Sequence, residues 1–179
     1  MKIITLFTIL LVATCLLSSP GQRAASATTA TFSDRQFIRN AAYGGNDEIA
    51  LSRLALTRAS DPEIRRFARR MIIQHSEAGA QLSQIATSLG VSVPSGPDVA
   101  HRHIERRLRH LDGIAFDRAY INIMVDDHTD ANQLFQSGAT VDSSELRSFA
   151  IATLPIVQNH LKMAAEMQAS RGMSHMAAM

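Results

Sequence analysis

The chain has 179 residues, enough for one globular domain and an N-terminal targeting segment. Its one cysteine, Cys15, falls in that segment, so a mature domain without residues 1–27 has no disulfide, thiolate metal site or cysteine nucleophile. Basic and acidic residues then balance at sixteen each, which removes any net-charge argument for nucleic acid binding.

Residues 1–27 read as a secretory signal peptide: Lys2 supplies a short positive region, Ile3 to Leu17 is almost unbroken apolar sequence, and Ala25-Ser26-Ala27 offers a cleavage site. The apolar run is short for a transmembrane helix, so no membrane span is expected in the mature protein. The expected location is exported and periplasmic. Val12-Ala13-Thr14-Cys15 is a weak match to a lipoprotein box, and lipidation there would give an outer-membrane or lipid-anchored protein instead.

After a linker over 28–32, the sequence predicts a helical domain over 33–170. Ser33-Asp34-Arg35-Gln36 reads as a capping box, with Phe32 and Phe37 as its hydrophobic staple, opening a helix from about Asp34 to Arg58. Ser60-Asp61-Pro62-Glu63 ends it and starts a second, from Pro62 to Leu89, closed by Gly90. A loop over 90–97 leads to a short basic helix capped by Asp98 and reaching about Leu111. A fourth helix spans about Ala115 to Ala139, and Asp142-Ser143-Ser144-Glu145 opens a last one to Ser170, with a kink expected at Pro155. Two short connections and one long one make two antiparallel hairpins joined by a crossover, the ferritin-like form of the four-helix bundle. Residues 171–179 form a methionine- and histidine-bearing tail.

Each long helix carries an apolar seam with steps of three and four. The seams read Phe37, Ala41, Gly44, Glu48, Leu51, Ala55; then Ile64, Ala68, Met71, His75, Ala78, Leu82; then Ile121, Met124, His128, Ala131, Phe135; then Leu146, Ala150, Thr153, Val157, His160, Ala164, Met167. One strongly polar residue interrupts each: Glu48, His75, His128 and His160. Glutamate is rarely buried unless paired or coordinating, and imidazole and carboxylate are suitable ligands for zinc, iron, manganese or copper. These four are the candidate metal ligands; a structural polar network fixing helix register is the alternative. Counting residues from the turns puts Glu48 and His75 roughly 5 Å apart along the axis, and His128 and His160 roughly 9 Å apart.

Ala42–Gly45 with Glu48, Leu54-Ala55, Phe67-Ala68, Met71 and His75, followed by Gly113, Phe116-Asp117-Arg118-Ala119-Tyr120, His128, Phe149-Ala150, Thr153-Leu154-Pro155 and His160-Leu161-Lys162-Met163, resemble the exported bacterial domain of unknown function 4142 family over residues 32–168. The resemblance implies a ferritin-like fold and no established activity. Where that family usually has an acid before the first histidine, this chain has Gln74.

Diiron carboxylate proteins use Glu-x-x-His pairs, but Ile72, Val125 and Val157 stand three before the histidines here, so ferroxidase chemistry is not expected. Nucleophile elbows, phosphate loops and zinc-protease motifs are absent. His101, Arg102, His103, Arg106, Arg107, Arg109 and His110 read as a solvated basic face that an anionic partner would use. Asp117, Asp126, Asp127 and Asp130 read as solvated acids, and Gly44-Gly45 as close helix packing. Met163, Met167, Met173, His175, Met176 and Met179 add soft ligands of a kind that suits Cu(I). The expected function is a non-enzymatic metal-binding or stress-related bundle; a metal-dependent oxidoreductase and an interaction module acting through the crossover are the alternatives. No protein partner is legible.

Overall fold

The computed structural model describes residues 29–172. The expected signal segment, Cys15 and the tail from Met173 onward lie outside the described residues. Five helices follow one another: α1 (Phe32–Arg58), α2 (Pro62–Ser88), α3 (Val99–Leu108), α4 (Gly113–Gly138) and α5 (Ser144–Ser170). α1 pairs with α2 and α4 with α5 as hairpins, while α1 on α4 and α2 on α5 close the ring; α3 lies outside it against α1 and α4. The ferritin-like arrangement of two hairpins and a long crossover is therefore present. Among the described residues no helix is long and apolar enough to cross a membrane.

Local chemistry sets the helix ends. α1 begins earlier than the expected box at Ser33: Thr31 is the cap, its hydroxyl accepting from the Asp34 N–H at 3.2 Å while Asp34 accepts from the Thr31 N–H at 2.9 Å. Asp34 also accepts from the Ser143 N–H at 2.9 Å, joining the start of α1 to the cap of α5. Phe32 is 80% exposed and forms no staple. Asp61, Asp98 and Ser143 cap α2, α3 and α5 with their side chains, as the sequence predicts. Gly90, at φ +67°, takes the left-handed conformation that closes α2. Asp117 is not a solvated acid: it is buried and accepts from the backbone N–H groups of Ser60 (3.0 Å) and Asp61 (3.1 Å), holding the α1–α2 turn. α5 continues through Pro155.

The apolar core consists of two clusters. One contains Leu51, Ala55, Ile64, Phe67, Met71, Phe116, Tyr120, Met124, Ala164 and Met167; the other contains Phe37, Ile38, Leu82, Ala86, Phe135, Leu146, Phe149 and Val157. Every long helix contributes to both, and Glu48, His75, His128 and His160 each fall between its two contributions. The bundle thus has one polar layer between two apolar ones.

Gly44 and Gly45 do not mark close packing, since a Cβ at either would meet nothing within 4 Å. Gly138 does: a Cβ there would overlap the Phe37 ring and lie 2.8 Å from Ala150 Cβ. Gly138→Ala is therefore expected to lower unfolding free energy by about 1–3 kcal/mol through overpacking. Gly44→Ala should raise it by up to about 1 kcal/mol through helix propensity. Urea unfolding of both variants checks the pair; a destabilised Gly44→Ala would mean that the backbone there needs glycine.

Candidate metal centre

All four interrupting residues turn inward and meet. His128 and His160 are fully buried, Glu48 is 3% exposed, and the His75 side chain is 11% exposed. Ring centroids are 5.6 Å apart for His75 and His128, 5.1 Å for His75 and His160, and 5.3 Å for His128 and His160. The axial mismatch counted from the turns does not keep them apart. Helical side chains lean towards their own N-terminus. His128 and Glu48 precede their turns and lean away from them; His160 and His75 follow theirs and lean back. Both gaps narrow.

Each imidazole is anchored through one nitrogen. His75 Nδ1 donates to Glu48 Oε2 at 2.9 Å. His128 Nδ1 donates to the Met124 carbonyl at 2.9 Å and lies 3.4 Å from Glu48 Oε1. His160 Nε2 donates to Gln74 Oε1 at 2.6 Å. Because these partners are acceptors, the anchored nitrogens carry the protons and the opposite nitrogens carry lone pairs. Those opposite atoms, His75 Nε2, His128 Nε2 and His160 Nδ1, are buried and have no hydrogen-bond partner. Each histidine offers a ring nitrogen within 4.8 Å of the other two. With all three rings neutral these atoms present only lone pairs and cannot satisfy one another, whereas a metal ion would satisfy all three, so the donor set fits one.

Burial pushes the Glu48 carboxyl up, but the positive charge that His128 and His75 carry when protonated in the metal-free layer outweighs it and brings it down to about 2. For His160, burial and then His75 and His128 act together and lower it to about 3. The layer therefore combines an ionised carboxylate with an imidazole that resists protonation. Gln74, at the position where the resemblance implies an acid, keeps an anchoring role through its amide oxygen.

A second cluster lies beside the first; of its members, His101 and Asp127 were expected to be solvated and Asp98 to cap α3. His101 Nδ1 is 3.1 Å from both Asp47 Oδ2 and Asp98 Oδ1, and its Nε2 is 3.4 Å from Asp127 Oδ1. Asp47 is 2% exposed and accepts from the Asp98 N–H at 2.8 Å. Burial raises Asp47 to about 7; the Asp127 hydrogen bond raises His101 to about 9 against burial. His101 thus faces the bundle rather than solvent. The sequence carries no clear signal for this: adjacent residues on a helix are only about 100° apart, so Asp47 beside Glu48 could equally have faced solvent. A cavity of about 640 Å³ is lined by Asp47, Asp98, His101 and Asp127 and also by Glu48 and His75. Gly44, Gly45, Ala78 and Gly79 line it as well and leave it open.

A family model described as Domain of unknown function (DUF4142) matches residues 19–167, so the chain belongs to that family. No curated protein matches it. Among solved structures, a DUF305 fragment from Deinococcus radiodurans is similar with a TM-score of 0.70 at 14% identity, over 79% of this chain and 99% of that one. A DUF305 protein from Streptomyces coelicolor gives 0.67 at 16%, over 78% and 94%. CopM in its Cu(I)-bound form gives 0.66 at 17%, over 78% and 98%. These likenesses establish the shared helical fold.

The His160 environment sets an acid limit on the metal-free protein. The unfolded chain takes up a proton at this residue near pH 6.5, while the folded chain does so only near 3. Folding stability should therefore fall as pH drops from about 6.5 towards 3, with a slope of up to about 1.4 kcal/mol per unit from this residue. Urea unfolding of metal-free protein across that range, compared with His160→Phe, checks it; an equal slope in the variant would contradict the assignment.

Proposed function

We propose that this DUF4142 protein binds one transition-metal ion in the middle of its bundle through His75 Nε2, His128 Nε2 and His160 Nδ1. Glu48 stands behind His75 and its second oxygen lies 3.4 Å from His128 Nδ1, the Met124 carbonyl stands behind His128, and Gln74 stands behind the third. Carboxylates and carbonyls in that position orient a metal-bound imidazole and raise its basicity. The carrying observation is the set of three partnerless buried nitrogens on rings whose other nitrogens are fixed.

Charge favours a monovalent ion. Ionised Glu48 balances one positive charge between two apolar clusters, whereas a divalent ion would leave one unit unbalanced unless hydroxide accompanied it. Neutral imidazoles suit copper, and the similarity to a Cu(I)-bound CopM supports the same reading. The proposed ion is thus Cu(I), with zinc carrying hydroxide as the divalent alternative and iron or manganese less well matched. The cavity reaching Glu48 and His75 favours one second reading, a metal-dependent oxidoreductase with substrate access from that side. Turnover of a redox dye or peroxide by the loaded protein would separate the two.

The N-terminal segment supports export with cleavage after Ala27, in keeping with a periplasmic metal-binding or stress-related role. Mass spectrometry of the protein from its native host should give an N-terminus near Thr28; lipid on Cys15 would place it on a membrane surface instead.

Competition titration with a Cu(I) chelator under anaerobic conditions tests the metal reading. The mature chain should bind one more Cu(I) than a variant lacking His75, His128 and His160, the methionine tail contributing equally to both. Glu48→Gln and Gln74→Leu should weaken this ion by about 10–100-fold without abolishing it. Equal stoichiometry in the wild type and the triple variant would overturn the reading.

A further inference from the structure

We propose that Asp47, Asp98 and His101 form a second cation site, separate from the imidazole trio, which takes one divalent ion of oxygen-preferring character such as Mn²⁺. The three residues offer ligand atoms that all lie within 4.8 Å of one another. Both carboxylates converge on one ring nitrogen, His101 Nδ1, at 3.1 Å each. Asp127 faces the other ring nitrogen at 3.4 Å. A carboxylate behind a histidine is the usual support of a metal-bound imidazole, fixing which nitrogen presents its lone pair.

Three carboxylates surround a single imidazole, and none of them hydrogen-bonds or ion-pairs with an arginine or lysine among the described residues. Asp127 Oδ2 is buried without a partner. Asp47 is almost wholly buried, and His101 is the one cationic side chain among the described residues shown facing it, shared with Asp98 and Asp127, so the cluster holds more carboxylates than cations. The carboxylates are also fixed in advance: Asp47 accepts from the Asp98 N–H, and Asp98 accepts from the His101 N–H at 2.7 Å as the cap of α3.

Ligand type separates the two centres. Two carboxylate oxygens and one imidazole favour Mn²⁺ and similar ions, while three imidazoles suit copper. The adjoining cavity leaves room for waters to complete the coordination shell. An ion here would tie α1, through Asp47, to the start of α3, through Asp98 and His101.

Electron paramagnetic resonance of free Mn²⁺, titrated against the mature chain, tests the site. One Mn²⁺ per chain should disappear from the free signal, and Mn²⁺ should raise the unfolding temperature. Asp98→Asn keeps a good helix cap, so it and His101→Gln should stay folded by circular dichroism yet each weaken Mn²⁺ by about tenfold or more. His160→Ala should leave Mn²⁺ binding unchanged, and Asp98→Asn should leave Cu(I) stoichiometry unchanged, so failure of either centre is seen independently. A free signal unaltered up to about 1 mM Mn²⁺, or wild-type binding in both variants, would overturn the proposal and leave His101 as an imidazolium bridging the carboxylates.

Discussion

Three imidazole lone pairs buried together in the middle of a helical bundle constrain everything else in this protein. Each would be cheaper in water, and each is held where it is because the opposite nitrogen of its ring is tied to Glu48, to the Met124 carbonyl or to Gln74. Those ties lie on three different helices, so the layer fixes the axial register of the bundle while leaving its centre electron-rich. The apolar clusters on either side supply the stability that allows such a layer to persist.

Much of this was legible in the sequence because helix periodicity converts spacing directly into facing. Four seams, each interrupted once, were enough to turn Glu48, His75, His128 and His160 towards the bundle interior, and short capped turns against one long connection gave the topology. Axial level was not legible from residue counts, since a count ignores the lean of side chains towards the N-terminus. The role of Gln74 was hidden for a related reason: it adjoins His75 in sequence but serves His160 on a neighbouring helix.

The crossover was the least legible segment. Its basic composition suggested a solvated face, and for most of α3 that holds, but His101 alone points inwards to Asp47, Asp98 and Asp127. Composition averages over a helix, whereas burial is decided residue by residue. Gly44 and Gly45 illustrate the same point. Glycines in a helix suggest close packing, yet here they border open space, and together with Ala78 and Gly79 they make the cavity that joins the two polar clusters. Asp117 shows the reverse, an acid in a charged-looking stretch that is consumed by the backbone of a turn.

Both clusters thus arise from one arrangement: consecutive acids, Asp47 and Glu48, direct one carboxylate to the crossover and the other to the core. The central claim is that the core carboxylate supports imidazoles that hold a metal ion. X-ray absorption at the copper edge of Cu(I)-loaded protein tests it most directly. The account predicts a first shell of nitrogen at about 2 Å with outer-shell scattering from imidazole rings. A first shell dominated by sulfur would contradict it and assign the copper to methionines instead.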